Sequence, residues 1–317
     1  MHKAVTLYIY CFVLFCPGIL ALSLQANAQI TNNPYYRADS TGLKVKKKRN
    51  LSNYPRLAQK LTAHLPNDSA KARAIYVWVA DNFRYDINTA RKDLEYTVRS
   101  GKGVCWQYSD IFCRLCEHAG LPCQTVKGYA KVSLLDLGRK RTKSRHAWNR
   151  VLVNGRWEAV DVTWGSGYLD PRTKKFEKWV SAMWFFVNDS VFAATHNARP
   201  EFSEIEPLLS SDSVFIQKPL QFYYTPQPRL LFTPLSNGII SLQSAQDTLE
   251  LLLRTNIPVT ADSFYVQPGR SRNLYRIPPR TRDDGSLCFR IPASLPGLSR
   301  QLALYYENRM IIAYKVE

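Results

Sequence analysis

Gly103-Val104-Cys105-Trp106-Gln107-Tyr108 sets a cysteine where a glycine-bearing loop turns into a helix. From there Trp106, Tyr108, Ile111, Phe112, Leu115, Cys116 and Ala119 recur as they would on a helix buried on most sides, and Gly120 ends it. Cys105 therefore falls in the first turn. The unpaired amides and positive dipole end there favour an anion, so this thiol should ionise more easily than a free cysteine. Such a nucleophile also needs a base.

Downstream, Gln124 to Val132 reads as a strand by its β-branched and aromatic content. His146 to Val153 and Arg156 to Trp164 then flank Asn154-Gly155, a strong hairpin signal. With a two-residue turn Val153 pairs with Arg156, and counting back sets Trp148 opposite Asp161 and His146 opposite Thr163. His146 and Asp161 become diagonal neighbours on one face, about 7 Å apart at Cβ. Their side chains can meet.

Cys105, then His146 with Trp148, then Asp161 with Thr163-Trp164, resembles the transglutaminase-like superfamily, whose core is similar to that of papain-type cysteine proteases. The Ala74 to Val79 helix ending in Tyr85-Asp86 and the Gly120-Leu121-Pro122 step into Gly128-Tyr129-Ala130 match as well. Trp184 to Asp189, Thr195-His196 and Leu208-Leu209 further resemble the kyphoscoliosis-peptidase branch. The resemblance implies an α+β fold, a central helix packed on an antiparallel sheet, over roughly residues 51–220. It also implies roles: Cys105 as nucleophile, His146 as base and then acid, Asp161 as the group fixing the imidazole tautomer. The Cys105 amide is a natural oxyanion donor, and Gln107 or Tyr85 is a candidate for the second. Trp106, Trp148 and Trp164 are assigned with these two to substrate binding, Trp148 and Trp164 as core and cleft walls. His196 is expected to be structural. Neither a cofactor nor a metal is called for; Cys113, Cys116, His118 and Cys123 lack the loop geometry of a zinc knuckle, and no Asp-rich calcium loop exists.

The 317 residues are 45% hydrophobic and 12% aromatic, enough for about two domains with real cores. Met1-His2-Lys3, an apolar run from Ala4 to Leu24 and Ala26-Asn27-Ala28 read as a secretory signal over 1–28, and an uncleaved anchor is the alternative. The expected location is therefore secreted or periplasmic. Loss of Lys3 with that segment lowers the formal charge from +18 to +17, so anionic surroundings are expected. Export and the lack of any zinc-finger, RNP or helix-turn-helix signature disfavour nucleic acid. Partners are then a protein or peptide substrate, acidic if the Arg139 to Arg145 run faces it, and an anionic envelope surface. Five of the seven cysteines remain after cleavage, with buried thiols or a Cys116–Cys123 bridge both open.

Residues 29–50, polar and ending in Lys44 to Arg49, read as a basic linker. Pro55 opens a helix carrying Leu57 and Leu61, and Asp68 or Ser69 caps the next. Short alternating strands fill 221–317, with Glu307-Asn308-Arg309 turning the last pair, and suggest an immunoglobulin-like β-sandwich for packing or targeting. The reaction could be hydrolysis of an amide through a thioester, acyl transfer to an amine, or none, the chain then serving as an envelope-binding module. The triad is the same for the first two.

Overall fold

In the computed structural model, the described residues are 33–46, 50–139, 145–169, 173, 175–199, 211–221, 232–242, 244, 247–256, 258–269 and 271–317. The expected signal segment, Lys47 to Arg49, residues 140–144 and Leu208-Leu209 lie outside them.

Among the described residues four α-helices precede the cysteine. Helix α1 (Tyr36–Lys44) lies in the stretch expected to be a linker, so that expectation is corrected. Its buried residues are only Ala38 and Gly42, so no apolar stripe marks it. It rests on α3 because Gly42 comes so near that a Cβ would lie 2.8 Å from Ala74 O, and because Arg73 Nε donates to Asp39 at 2.6 Å. Helix α2 (Tyr54–Thr62) starts with Pro55 in its first turn and buries Leu57 and Leu61. Helix α3 (Asp68–Asn82) is capped by Asn67, whose side chain accepts from Ala70 N, rather than by Asp68 or Ser69. Ala74 to Ala80 are all buried. Helix α4 (Leu94–Ser100) ends at Gly101, whose φ of 75° suits glycine.

Helix α5 (Cys105–His118) is the centre of the first unit, with α2 and α3 on one side and a sheet on the other. Tyr108, Ile111, Phe112, Leu115 and Cys116 join Trp78, Phe83 and Val160 in one core. The sheet holds β3 (Cys123–Ala130), β4 (His146–Val153), β5 (Arg156–Val160), β8 (Phe185–Val187) and β9 (His196–Ala198) in the order β8-β5-β4-β3-β9. Every pairing in it is antiparallel. Asn154 and Gly155 turn β4 into β5 with φ of 52° and 77°, and Val153 faces Arg156 as the spacing predicted. A disulfide ties Cys113 on α5 to Cys123 at the start of β3. The bridge considered from the sequence, Cys116–Cys123, does not form: Cys113 faces β3, while Cys116, three residues on, is a buried thiol in the helical core.

Two further sheets lie C-terminal. One orders β10 (Leu220–Gln221), β19 (Arg309–Val316), β18 (Gln301–Tyr306), β14 (Phe264–Pro268) and β15 (Tyr275–Arg276), with β12 (Ile239–Ile240) also on β19; the other orders β11 (Phe232–Pro234), β13 (Thr248–Thr255), β17 (Leu287–Pro292) and β16 (Arg280–Thr281). Leu251, Leu253 and Phe289 of the second share a core with Phe264, Leu304 and Tyr314 of the first. Glu307 and Asn308, at φ 47° and 63°, turn β18 into β19. Strand β10 straddles the expected boundary at 220/221 and joins the C-terminal sheet.

Candidate active site

Cys105 is placed by a short parallel bridge and one glutamine. Strands β1 (Arg84–Tyr85) and β2 (Lys102–Gly103) pair Tyr85 with Gly103, two residues before the thiol. Gln107 then holds the turn: its Oε1 accepts from Val104 N at 2.7 Å, and its Nε2 donates to Thr89 O and Lys92 O at 3.2 and 2.8 Å. Every polar atom of that amide is used by the fold, and the residue is fully buried. Gln107 therefore cannot serve as an oxyanion donor or touch substrate. Tyr85 remains in place for such a role, half-buried and lining the cleft, within electrostatic reach of Cys105.

His146 opens β4 opposite Gly128 of β3, and β9 pairs on the other edge of β3 with His196 opposite Ala130. Gly128 is a steric requirement, since a Cβ there would lie 2.3 Å from Asn197 O and 2.6 Å from Trp148. The hairpin ladder stops at Asn149–Val160. The pairs predicted beyond it, Trp148 with Asp161 and His146 with Thr163, do not form, because the Asp161 amide turns to Trp184 O instead. The side chains still meet: His146 Nε2 lies 2.7 Å from Asp161 Oδ2. That leaves Nδ1 for the Cys105 thiol, with which the ring is hydrogen-bonded.

The second imidazole on this carboxylate escaped sequence reading. His196 Nε2 lies 3.1 Å from the same Oδ2, while its Nδ1 meets Thr195 Oγ1 at 2.8 Å. Asp161 Oδ1 accepts from the amides of Thr163 and Trp164 at 3.0 and 2.9 Å. His196 stacks on Phe192, ring centroids 4.0 Å apart, among Trp148, Trp164 and Trp184. Only its position near Trp184 and Thr195 in the sequence hinted at a site, since nothing local pairs it with Asp161.

Burial and charge oppose each other throughout this cluster. Burial alone would push the Cys105 thiol up, but the hydrogen bond and charge of His146, helped by the Ala147 amide, bring it below the ordinary thiol value. Burial would lower His146, yet the charge and hydrogen bond of Asp161, and then the thiol, raise it to about 10. Burial would raise Asp161; His146 first and His196 second hold its carboxyl well below the usual range. His196 goes the other way, to about 4, because burial outweighs the Asp161 bond. So His196 is neutral near pH 7 and donates through Nε2–H, while His146 can carry the proton of the thiol.

Among the described residues His146, Asp161 and His196 also form a group compact enough for a cation, their donor atoms within 4.8 Å. A metal would have to displace both Nε2 protons from a carboxylate already taking four hydrogen bonds. The arrangement fits a proton-holding cluster better.

Of the aromatic residues assigned to substrate, Trp164 and Tyr85 line a cleft of about 490 Å³ beside His146. Trp148 does not; it is fully buried in a cluster with Val126 and Phe192 and serves as core. Trp106 is 37% exposed, its Nε1 donating to Ala90 O at 3.4 Å, and lies outside that cleft's lining. Cys116 and Cys288 are buried free thiols, and burial pushes Cys116 up.

Residues 55–162 match the model of the transglutaminase-like superfamily. Mouse (Mus musculus) kyphoscoliosis peptidase is 34% identical over 147 residues, 44% of this chain and 22% of that protein. Hillarin of Drosophila melanogaster is 32% identical over 119 residues, 36% of this chain and 14% of that protein. The chain thus spans about a fifth or less of the length of these relatives. A solved structure, a candidate cysteine protease from Cytophaga hutchinsonii, aligns at 23% identity over 42% of this chain and 43% of that one, with a TM-score of 0.30 too low to carry argument. With Cys105, His146 and Asp161 joined as described and the family match running from before the cysteine to just past the aspartate, the chain carries a domain of the transglutaminase-like superfamily, related to the kyphoscoliosis-peptidase branch.

Proposed function

We propose that this chain is a thiol hydrolase acting on a protein or peptide amide through a thioester on Cys105. The observation that carries the reading is one chain of hydrogen bonds: thiol to His146, His146 Nε2 to a buried, ionised Asp161. The Cys105 thiolate attacks the amide carbonyl, and the charge on the oxygen falls near the Cys105 amide at the start of α5. His146 gives its proton to the nitrogen as the C–N bond breaks, and the amine leaves. A water then attacks the thioester; His146 takes its proton, the C–S bond breaks, and the acid and the thiolate–imidazolium pair are released. Asp161 stabilises the imidazolium in both halves. Water is favoured over an amine as acceptor because nothing among the described residues of the cleft marks an amine-binding subsite. We further propose that the protein is exported, that its basic surface meets acidic substrates or an anionic envelope, and that 221–317 form an immunoglobulin-like sandwich for packing or targeting.

The test is alkylation by iodoacetamide as a function of pH with peptide mapping, on wild type, Cys105→Ala, His146→Ala and Asp161→Asn. Cys105 should dominate labelling in the wild type and titrate below a free thiol. In His146→Ala burial is opposed only by the Ala147 amide, so the thiol should become slow at neutral pH. Asp161→Asn, by analogy with a serine triad, should cost about ten-thousand-fold in turnover. Preferential labelling of Cys288, or a Cys105 that titrates like a free thiol, would sink the enzymatic reading. Release of acid rather than an amine adduct, with a primary amine present, separates hydrolysis from transamidation.

A further inference from the structure

The cleft beside His146 has more character than a generic groove. Trp164 and Trp184 belong to its wall on the core side, and Tyr168, Leu169 and Phe176 come from the hairpin of β6 (Gly167–Leu169) and β7 (Phe176–Lys178). Leu220, from the C-terminal sheet, also lines it. Its volume of about 490 Å³ is in the range of a binding pocket. Tyr168 and Leu169 stand 37% and 50% exposed at the cleft.

Two charged groups in the wall, Lys131 and Asp136, are engaged by the fold. Lys131 Nζ donates to Phe215 O at 2.9 Å and to Lys218 O at 2.8 Å. Asp136 Oδ2 accepts from the amides of Val132 and Ser133, both at 3.0 Å. Arg145 is exposed where the cleft meets solvent. Thr163 Oγ1, two residues from Asp161, is buried with no hydrogen-bond partner, and the half-buried Tyr85 brings a further hydroxyl to the wall. A wall of this kind offers a substrate side chain mostly apolar contact and few polar partners.

We infer that this pocket receives a large apolar or aromatic side chain of the acyl donor. The inference rests on the reading of Cys105 as nucleophile. A glutamine amide here would give up its water for a wall that is mostly aromatic and aliphatic, and a carboxylate set among those rings would lose more still. A phenylalanine or leucine loses nothing polar and gains the aromatic walls. The pocket thereby selects against the glutamine donors that amine transfer onto protein side chains would use.

The experiment uses peptidyl acyloxymethyl ketones that alkylate the active thiol and differ only in the residue beside the ketone: phenylalanine, leucine, glutamine or glutamate. Second-order rates of Cys105 modification should be about tenfold or more higher for phenylalanine and leucine than for glutamine and glutamate. The double variant Tyr168→Ala/Leu169→Ala removes exposed side chains only, so it should fold, and it should shrink the preference to a few-fold. Equal or faster reaction of the glutamine or glutamate probe overturns the inference, as does a preference untouched by the double variant. Iodoacetamide, which needs no pocket, separates the two levels: if it fails to label Cys105 selectively, the nucleophile reading is what has failed.

Discussion

His146 and His196 donate to one oxygen: their Nε2 atoms lie 2.7 and 3.1 Å from Asp161 Oδ2. The two rings answer to the same carboxylate in opposite ways. His146 gains the proton affinity that a thiolate partner needs, and His196, deeper among aromatic rings, stays neutral.

The neutral ring gives a pH signature. The folded-state pKa of His196 is lowered to about 4, while an unfolded histidine titrates near about 6.5. Its contribution to stability is therefore complete above about 6.5 and is lost as pH falls toward 4, because the unfolded chain takes up a proton that the folded chain refuses. Both His196→Gln and His196→Phe should flatten the stability profile between these values, by up to about 3 kcal/mol at the acid end. The two should differ at pH 8, where glutamine can still donate to Asp161 and phenylalanine leaves a buried charge one donor short, about 1–3 kcal/mol less stable. Urea denaturation at a series of pH values reads both. A wild-type slope retained in either variant would show that His196 is not the group responsible.

How much of this could be seen in the sequence follows from which contacts are local. The start of α5 and the β4–β5 turn are written in short-range signals, Gly103 before Cys105 and Asn154-Gly155 between two apolar runs, and both elements stand where the spacing put them. The Asp161–His146 contact followed from counting across that turn, although the ladder itself ended three pairs early. What stayed hidden depends on distant partners. Helix α1 is held by Arg73 and by a glycine packed on α3, so its own residues show no stripe. Gln107 looked available because its three acceptors and donors lie in backbone as far away as Thr89. His196 joins the site only because β9 lies on the far side of β3, a pairing no local pattern announces.

Gln107 should behave as a structural residue of the nucleophile turn. Gln107→Glu keeps the shape but replaces the Nε2 donor with an oxygen facing two carbonyls, so it should be more destabilising than Gln107→Ala, by a margin of about 1–3 kcal/mol. Thermal melts of the two variants decide the order. A stable Gln107→Glu whose acyl-transfer rate alone has dropped would restore Gln107 to the chemistry.

The cationic rim makes a prediction about salt. Arg139 and Arg145 are both exposed, and exposed charge is screened beyond about 8 Å at physiological ionic strength. Modification of Cys105 by a probe with acidic residues outside the pocket should slow as salt rises, through the encounter step, and Arg139→Gln/Arg145→Gln should flatten that dependence. A neutral probe supplies the reference. An identical salt slope in wild type and variant would reduce these arginines to solvated surface.

The Cys113–Cys123 disulfide should act on stability far more than on the thiol chemistry. It closes a loop of sequence separation 10 between the middle of α5 and the start of β3, where Asn149 Nδ2 also approaches Cys113 Sγ at 3.1 Å. Cys105 sits two turns away, held by the β1–β2 bridge and by Gln107. Typical disulfides contribute about 2–4 kcal/mol, so Cys113→Ser/Cys123→Ser should lower Tm by roughly 5–10 °C. Reductant should move the wild type toward the variant's Tm and leave the variant unchanged. Under native conditions the alkylation rate of Cys105 should differ by less than about threefold between the two, since the elements that set its environment are intact. Calorimetry with and without reductant, combined with mapped alkylation, measures both arms. A wild-type Tm indifferent to reductant would remove the disulfide from the stability argument, and a collapse of Cys105 reactivity in the variant would show that the whole of α5, rather than its first turn, holds the nucleophile in place.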